Sequence, residues 1–553
     1  MPREPKGFLM SSEVESHPLI QALDPWQRQA ATTLRGPVAI LAGAGSGKTR
    51  TISHRIAYGI DQGVYAANRI LALTYTNRAA SELRQRMRLL GAAGVQVRTF
   101  HSAALSQLQF FWPQLTGSLA PKLMTSKVAA VKEVLSESRI ELDDSSVREL
   151  TAEMEWLRYS LTTIDEYQQL NRSVAGFSAE RFLQIVSSYE ELKQKRRVAD
   201  WEDVLVLTTG LLRSEERMLE HFRQQYKFFT VDEYQDISPL QQALLETWLG
   251  DREDLCVVGD ARQAIYGFAG ADANFLTGFA SRFQDAEIFE LNANYRSSQE
   301  IVELANRIAE HGELQAVRSL RSAPEVFTAS TANAEAKRIA DRVEALIASG
   351  FQLSEIAVLS RINQQLSPIE NELKSREIGV QVRGAGRFFG YPLVMKAMAA
   401  IRALQVSQND AGLFQNLSEI LRQLGWTSRD QGDENWQNLN WFMDVFEELE
   451  NPTVDEYVRE LQERERGGDE PIRDLVTLAT IHATKGLEWR AVFLCGLNQG
   501  LFPISHAKTE GQLAEERRLF YVGITRAKDQ LIISHSSDKP ASEYLKLVIG
   551  NHN

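Results

Sequence analysis

One stretch constrains the fold more than any other: Ala42-Gly43-Ala44-Gly45-Ser46-Gly47-Lys48-Thr49. It follows an apolar run, Pro37 to Leu41, and precedes a plausible helix from Arg50 to Ile56. Strand, glycine-rich turn, then helix is the geometry of a phosphate cradle. The glycines let the backbone approach the phosphates closely. The N–H groups at the helix start point at the anion. Lys48 would reach the β- and γ-phosphates, and Thr49 would offer its hydroxyl to Mg²⁺. Ala42 stands where the strict pattern has its first glycine, so that pattern is missed by one residue.

A chain of 553 residues has room for about three or four domains. The net charge of −12 argues against a generally basic, nucleic-acid-coating surface. A cleft lined locally with Lys and Arg could still grip a phosphate backbone. The two cysteines, Cys256 and Cys495, sit in apolar, strand-like runs. They read as buried thiols and cannot build a metal cluster. Cysteine poverty fits a reducing cytosol. The N-terminus shows no signal-peptide core, and no apolar run approaches the roughly 20 residues of a membrane span. The expectation is a soluble cytoplasmic protein.

Along the chain, Asp24 reads as an N-cap with Pro25 in the first helical turn. Gln27 follows, an amide able to pair with one adenine edge. Ile70 to Tyr75 reads as a second buried strand, followed by Thr76 and Asn77 and an amphipathic helix bearing Arg84, Arg86 and Arg88. Val97 to Ser102 reads as a third strand whose polar end, with His101 and Ser102, suits phosphate and base contacts. Residues from about 110 to 195 turn helical and end in Lys193-Gln194-Lys195-Arg196-Arg197, read as a solvated helix end. The apolar run Lys227 to Val231 then ends in Asp232-Glu233-Tyr234-Gln235-Asp236. An acidic pair at the end of a buried strand is where such a protein places metal and water chemistry. Asp232 would hold the metal, and Glu233 would position and deprotonate water. Leu255 to Asp260 leads to Gln263, placed to sense the γ-phosphate, and to Tyr266 and Phe268, candidates for base stacking. Strand–helix alternation then resumes, interrupted between about 405 and 468 by a polar helical stretch.

In this order the pieces resemble superfamily 1A DNA helicases of the UvrD/Rep/PcrA family, in a short actinobacterial-type UvrD-like form. The match also includes Asn294-Tyr295-Arg296-Ser297, Val476 to Glu488 and Glu515 to Lys528. The resemblance implies an α/β fold of two RecA-like P-loop motor domains, each interrupted by a mainly helical insertion. The first motor domain would take 1–110 and 198–288 around an insertion at 111–197. The second would take 289–404 and 469–553 around a short insertion at 405–468. ATP and Mg²⁺ are the implied cofactors. Nucleotide contacts would come from Gln27, from Ala42 through Arg50 (Gly43, Ala44, Gly45, Ser46, Gly47, Lys48 and Thr49 between them), and from Tyr295 and Glu488. Arg296 and Arg526 would reach the γ-phosphate beside Lys48, Asp232, Glu233 and Gln263. The implied DNA contacts are Tyr75, Thr76, Asn77, His101, Ser102, Tyr266, Phe268, Asn363 and His482.

The implied activity is an ATP-dependent 3′ to 5′ helicase of repair or replication, acting on single-stranded DNA and strand junctions in the bacterial cytosol and nucleoid, with room for other repair proteins as partners. Two departures stand out. Phe268-Ala269 replaces the family's Trp-Arg, and the second insertion is short. The chain also ends soon after Leu545, where this branch often carries a further DNA-binding module. These features favour, as the alternative, a translocase that mainly strips proteins from single strands and unwinds poorly.

Overall fold

The computed structural model describes residues 16–549 apart from 171, 310–312, 384–386, 407–411, 428–433, 450, 468–469 and 472. Residues 1–15, most of the polar lead-in that the sequence suggests over 1–20, and Gly468, which with Gly467 reads in sequence as the end of the second insertion, thus lie outside the described residues. The chain divides into two compact units, the bulk of one ending at Leu291 and of the other beginning at Asn292.

The first unit is built on six strands: β1 (Val38–Ala42), β2 (Ile70–Thr74), β3 (Gln96–Thr99), β4 (Phe228–Val231), β5 (Leu255–Gly259) and β6 (Glu287–Leu291). Their order in the sheet is β3-β2-β4-β5-β1-β6, and every pairing is parallel. The central strands are near-continuous apolar runs because helices cover both faces of such a sheet. Helix α1 (Pro25–Thr32) starts on an Asp24 capping box, and α2 (Lys48–Asp61) follows the phosphate loop. Helices α3 (Asn77–Leu89) and α4 (Phe100–Thr116) follow β2 and β3.

Four helices then form an insertion with its own core: α5 (Lys127–Glu137), α6 (Asp144–Tyr159), α7 (Ile164–Gln169) and α8 (Ala179–Arg196). Val131, Leu150, Tyr167, Phe182 and Tyr189 are buried together there. Helices α9 (Trp201–Ser214) and α10 (Pro239–Leu249) return the chain to the main core.

The second unit repeats the plan with β7 (Glu325–Ala329), β8 (Ile356–Ser360), β9 (Val380–Arg383), β10 (Val476–Thr480), β11 (Trp489–Leu494) and β12 (Ala527–Ser536). The order is β7-β12-β11-β8-β10-β9, again all parallel. Helices α11 (Ala332–Ala348) and α12 (Leu366–Ser375) pack on this sheet. A second helical insertion contains α13 (Pro392–Ala403), α14 (Leu413–Gln423), α15 (Glu434–Glu448) and α16 (Val454–Gly467), around Ile401, Leu417, Trp441, Phe442 and Tyr457. Helix α17 (Glu510–Ile524) leads into β12. Among the described residues no helix is long and apolar enough to cross a membrane.

Four local readings change. Phe100 to Ser102 are the first turn of α4, not strand, because Thr99 and Ser102 form a capping box. The expected 110/111 boundary falls inside α4. Strand β6 pairs with β1, so the first sheet extends to Leu291. Lys193 is not solvated: it is 3% exposed, and its ammonium donates to Asp200 at 3.0 Å and Asp203 at 2.6 Å. Lys127 binds Glu202 beside it at 2.9 Å. Two lysines thus tie the insertion to the acidic first turn of α9.

Candidate nucleotide site and DNA track

Around the first sheet, every expected site residue except Gln27 lies at or after the carboxyl end of a parallel strand. That edge is where open α/β sheets bind ligands. The strand order sorts the residues. The phosphate loop follows β1, the acidic pair follows β4, and Gln263 follows β5, and these three strands are neighbours. Tyr75, Thr76 and Asn77 follow β2 and His101 follows β3, on the other side of β4.

The loop has the conformation a phosphate cradle needs. Gly45 and Gly47 hold φ of +69° and +80°, values that disfavour a side chain. A Cβ on Gly47 would also lie 2.8 Å from Gln27 Nε2. Gln27 is buried, completes the α1 capping box, and packs its amide against this loop. Lys48 Nζ donates to the Ala42 carbonyl at 3.1 Å and faces the Gly43 carbonyl at 3.4 Å. Arg50 is exposed and donates to the Ala22 carbonyl.

The acidic pair is tightly held. Asp232 accepts the Glu233 N–H at 2.9 Å and is buried. Burial, with the Glu233 charge added, pushes its carboxyl up to about 7, against the pull of Lys48. The Asp232 carboxylate and the Thr49 hydroxyl are oxygen donors of the kind that suit a hard cation. Among the described residues no group of three or more His, Cys, Asp or Glu side chains is arranged to hold a metal by itself. An ion here would therefore draw its other ligands from the nucleotide and water, as Mg²⁺ commonly does.

Glu233 sits at φ +52°, a left-handed conformation that costs a non-glycine residue about 1 kcal/mol or more. Its side chain is fixed by Gln235, which sequence reasoning passed over. Gln235 is fully buried. Its Nε2 donates to Glu233 Oε2 at 2.5 Å and to Asp236 Oδ2 at 3.0 Å. Its Oε1 accepts the Asp260 N–H at 3.0 Å, crossing from β4 to β5. A Cβ on Gly259 would lie 2.4 Å from that oxygen, so only glycine leaves room for the bridge. Asp260 continues the chain, accepting from Gln263 Nε2 at 2.9 Å and Arg262 Nε at 2.8 Å. The Arg262 and Lys48 charges hold the Asp260 carboxyl below its usual range despite burial.

The aromatics expected to stack on bases also meet. Tyr75 and Tyr266 stack with centroids 5.2 Å apart, and Phe268, 60% exposed, lies 6.1 Å from Tyr266. Thr76 is exposed, accepting the Ala79 N–H, and Asn77 is buried. Ser102 is taken up by its capping role.

In the second unit the two sets lie on opposite edges of the sheet. Asn363 and His482 follow the carboxyl ends of β8 and β10, neighbours in register at Ser360 and Thr480. Asn363 is exposed. His482 is partly exposed yet closely surrounded, and burial with the nearby Arg361 charge pushes its pKa down to about 3, so it is neutral at physiological pH. Glu488 and Arg526 precede the amino ends of β11 and β12. Arg296 and Lys528 both pair with Glu488, and their charges hold its carboxyl below the usual range despite burial. Exposed Tyr295 lines the same cavity, about 450 Å³, with Arg318, Arg490 and Asp529. Arg526 is 2% exposed and turned inward, donating to the carbonyls of Val522 and Leu487 and to Thr525 Oγ1.

Comparison with known proteins gives this geometry its family. The profile of the UvrD/REP helicase N-terminal domain matches residues 23–284, and that of the UvrD-like helicase C-terminal domain matches 289–432 and 413–538. The chain belongs to the UvrD/Rep helicase family. A relative named ATP-dependent DNA helicase UvrD2, from Mycobacterium tuberculosis strain H37Rv, is 39% identical over 94% of this chain and 79% of its own length. ATP-dependent DNA helicase PcrA from Bacillus subtilis is 25% identical over 94% of this chain and 84% of its own. The two-sheet architecture agrees with two RecA-like domains, as the family implies.

Proposed function

We propose that this chain is an ATP-dependent DNA helicase that moves 3′ to 5′ on single-stranded DNA and couples hydrolysis to duplex unwinding, in DNA repair or replication. The observation that carries the reading is the carboxylate pair at the end of β4, within reach of the Lys48 charge, with Glu233 at positive φ and its carboxylate bonded by Gln235. The family membership supports the substrate.

Lys48 and the loop amides bind the β- and γ-phosphates of ATP. Thr49 and Asp232 would hold Mg²⁺, which supplies positive charge to the phosphates. Glu233 orients the attacking water and accepts its proton, while Gln263 reports on the γ-phosphate. Arg296 and Arg526 supply charge to the transition state. Tyr295 and Arg50 flank the adenine, and Glu488 faces the ribose. Tyr75, Tyr266 and Phe268 grip bases by stacking, worth about 1–3 kcal/mol per base, and His101, Asn363 and His482 line the rest of the track.

The test is an ATPase assay with and without single-stranded DNA, run beside strand displacement on duplexes with 3′ or 5′ tails. Stimulated turnover with displacement from 3′ tails is expected, and Lys48→Ala abolishes both. Turnover indifferent to DNA sinks the motor reading. Stimulation without displacement from either tail replaces unwinding by translocation alone.

A further inference from the structure

The first helical insertion ends against the aromatic turn. Tyr159, the last residue of α6, is nearly buried. Its hydroxyl lies 3.1 Å from His101 Nε2. The His101 ring stands between two aromatic neighbours, Tyr159 at 6.0 Å and Trp201 at 5.9 Å, edge-on to both. On the other side, the turn bearing Phe268 closes on Gly270, at φ +90°. A Cβ on Gly270 would come within 3.0 Å of Tyr159 Cβ and 3.4 Å of the Ser160 nitrogen. The insertion thus touches His101 through Tyr159, and through Tyr159 and Ser160 it touches Gly270, at the end of the turn that bears Phe268.

We propose that Tyr159 is a positioning residue for single-stranded DNA binding, fixing the ring of His101 and seating the turn that carries Phe268, so that the insertion forms part of the track. Neutral imidazole has one N–H, and its position is set by the bond the other nitrogen makes. The Tyr159 hydroxyl at 3.1 Å from Nε2 fixes the role of that nitrogen and, with it, the orientation of the ring. Removing the hydroxyl frees both tautomer and ring. The close seat at Gly270 fixes how far the Phe268 turn stands off α6. This inference rests on the proposed track, but its test separates the two.

The probe is a fluorescein-labelled oligothymidylate, its dissociation constant read by anisotropy for the full chain. Tyr159→Phe is expected to weaken binding about five-fold, the effect of one net hydrogen bond. His101→Ala weakens it at least as much, and adding Tyr159→Phe to His101→Ala changes nothing further. Gly270→Ala weakens binding from the opposite side. Tyr167→Phe is the control: it removes another hydroxyl bond of the insertion, to Glu153, away from His101, and leaves the constant at the wild-type value. Additive losses for Tyr159 and His101, or wild-type binding by Tyr159→Phe with His101→Ala impaired, overturn the role of Tyr159. Equal loss in Tyr167→Phe reduces it to general stability of the insertion. Failure of the wild-type chain to bind the probe overturns the track itself, a separate result.

Discussion

Replacing Gln235 by alanine strikes the bridge between β4 and β5 at three points. Glu233 loses the amide N–H that holds its carboxylate, Asp236 loses a donor, and the buried Asp260 N–H loses its acceptor. A hydrogen bond to a charged group contributes about 1.5–3 kcal/mol, so a Glu233 free to leave its reactive orientation lowers kcat roughly 10- to 150-fold. The orphaned Asp260 N–H costs a further 1–3 kcal/mol of stability, roughly 2–6 °C in melting temperature for a unit of this size. Nucleotide binding rests on the loop and Lys48, which Gln235 does not touch, so KM for ATP stays within about two-fold. The assay is steady-state phosphate release against ATP concentration at saturating single-stranded DNA, with a thermal melt of the same sample. A variant that melts lower but turns over at the wild-type kcat refutes the argument that Gln235 orients the base. A KM rise with unchanged kcat refutes it equally.

Glu233→Gln keeps the amide–side-chain contact but cannot accept a proton. Titration with a fluorescent ATP analogue should show near-normal binding while turnover falls by at least 10³. Lys193→Met leaves Asp200 and Asp203 short of a buried cation and should cost about 3–5 kcal/mol, read as a loss of denaturant midpoint; a cost near zero would mean Lys127 alone neutralises the pair. Asp529 lies between Arg318 and Arg490, whose charged hydrogen bonds hold its carboxyl below the usual range in spite of burial. A depressed folded pKa stabilises above the unfolded value of about 3.9 and is lost as pH falls below it, so Asp529→Asn should melt lower than wild type at pH 7, by about 1–3 kcal/mol, with the gap closing toward pH 3. The track residues are aromatic or neutral, so binding to oligothymidylate should weaken only gently with salt, with a log–log slope shallower than about −2, near three phosphate contacts by the single-strand relation; a slope near −5 would show a basic groove carrying the grip.

What was legible in the sequence was local. The Asp24 cap, the loop between an apolar run and a helix, and the acidic pair closing an apolar run all involve residues within a few positions of one another. The capping box of α4 was also within reach, since Thr99 and Ser102 have its spacing, yet the β-branched run before them read as a longer strand. Long-range choices left no comparable signal. Nothing in Glu287 to Leu291 says it pairs with β1 rather than opening a second sheet. Strand β7 is short and half-exposed, with only Phe327 and Ala329 well buried. Lys193 lies in a run of basic residues, and only its partners seven and ten positions on, Asp200 and Asp203, make it a core residue. Arg526 carries its motif plainly, but a motif does not report that its guanidinium satisfies the carbonyls of Val522, in α17, and of Leu487, just before β11. Tyr159 lies outside every motif, and its neighbours are about 60 and 110 residues away in sequence.

The segment from Gly259 to Gly270 is where the proposed nucleotide and DNA contacts come nearest along the chain. Gly259 and Asp260 receive the Gln235 bridge, and Gln263 binds Asp260. Two residues later Ile265 is fully buried, and the next residue, Tyr266, stacks on Tyr75. Gly270 then rests on Tyr159. A displacement of Gln263 cannot be absorbed at Ile265, because a close-packed interior has no slack there. It must pass to the aromatic turn or back into the Asp260 bridge. The bridge resists through charged and buried hydrogen bonds, which are costly to break. The turn resists only through ring contacts and one exposed phenylalanine. The softer end is therefore the aromatic one, and with the roles proposed above a change at Gln263 would be delivered to the DNA-gripping rings through three residues of chain.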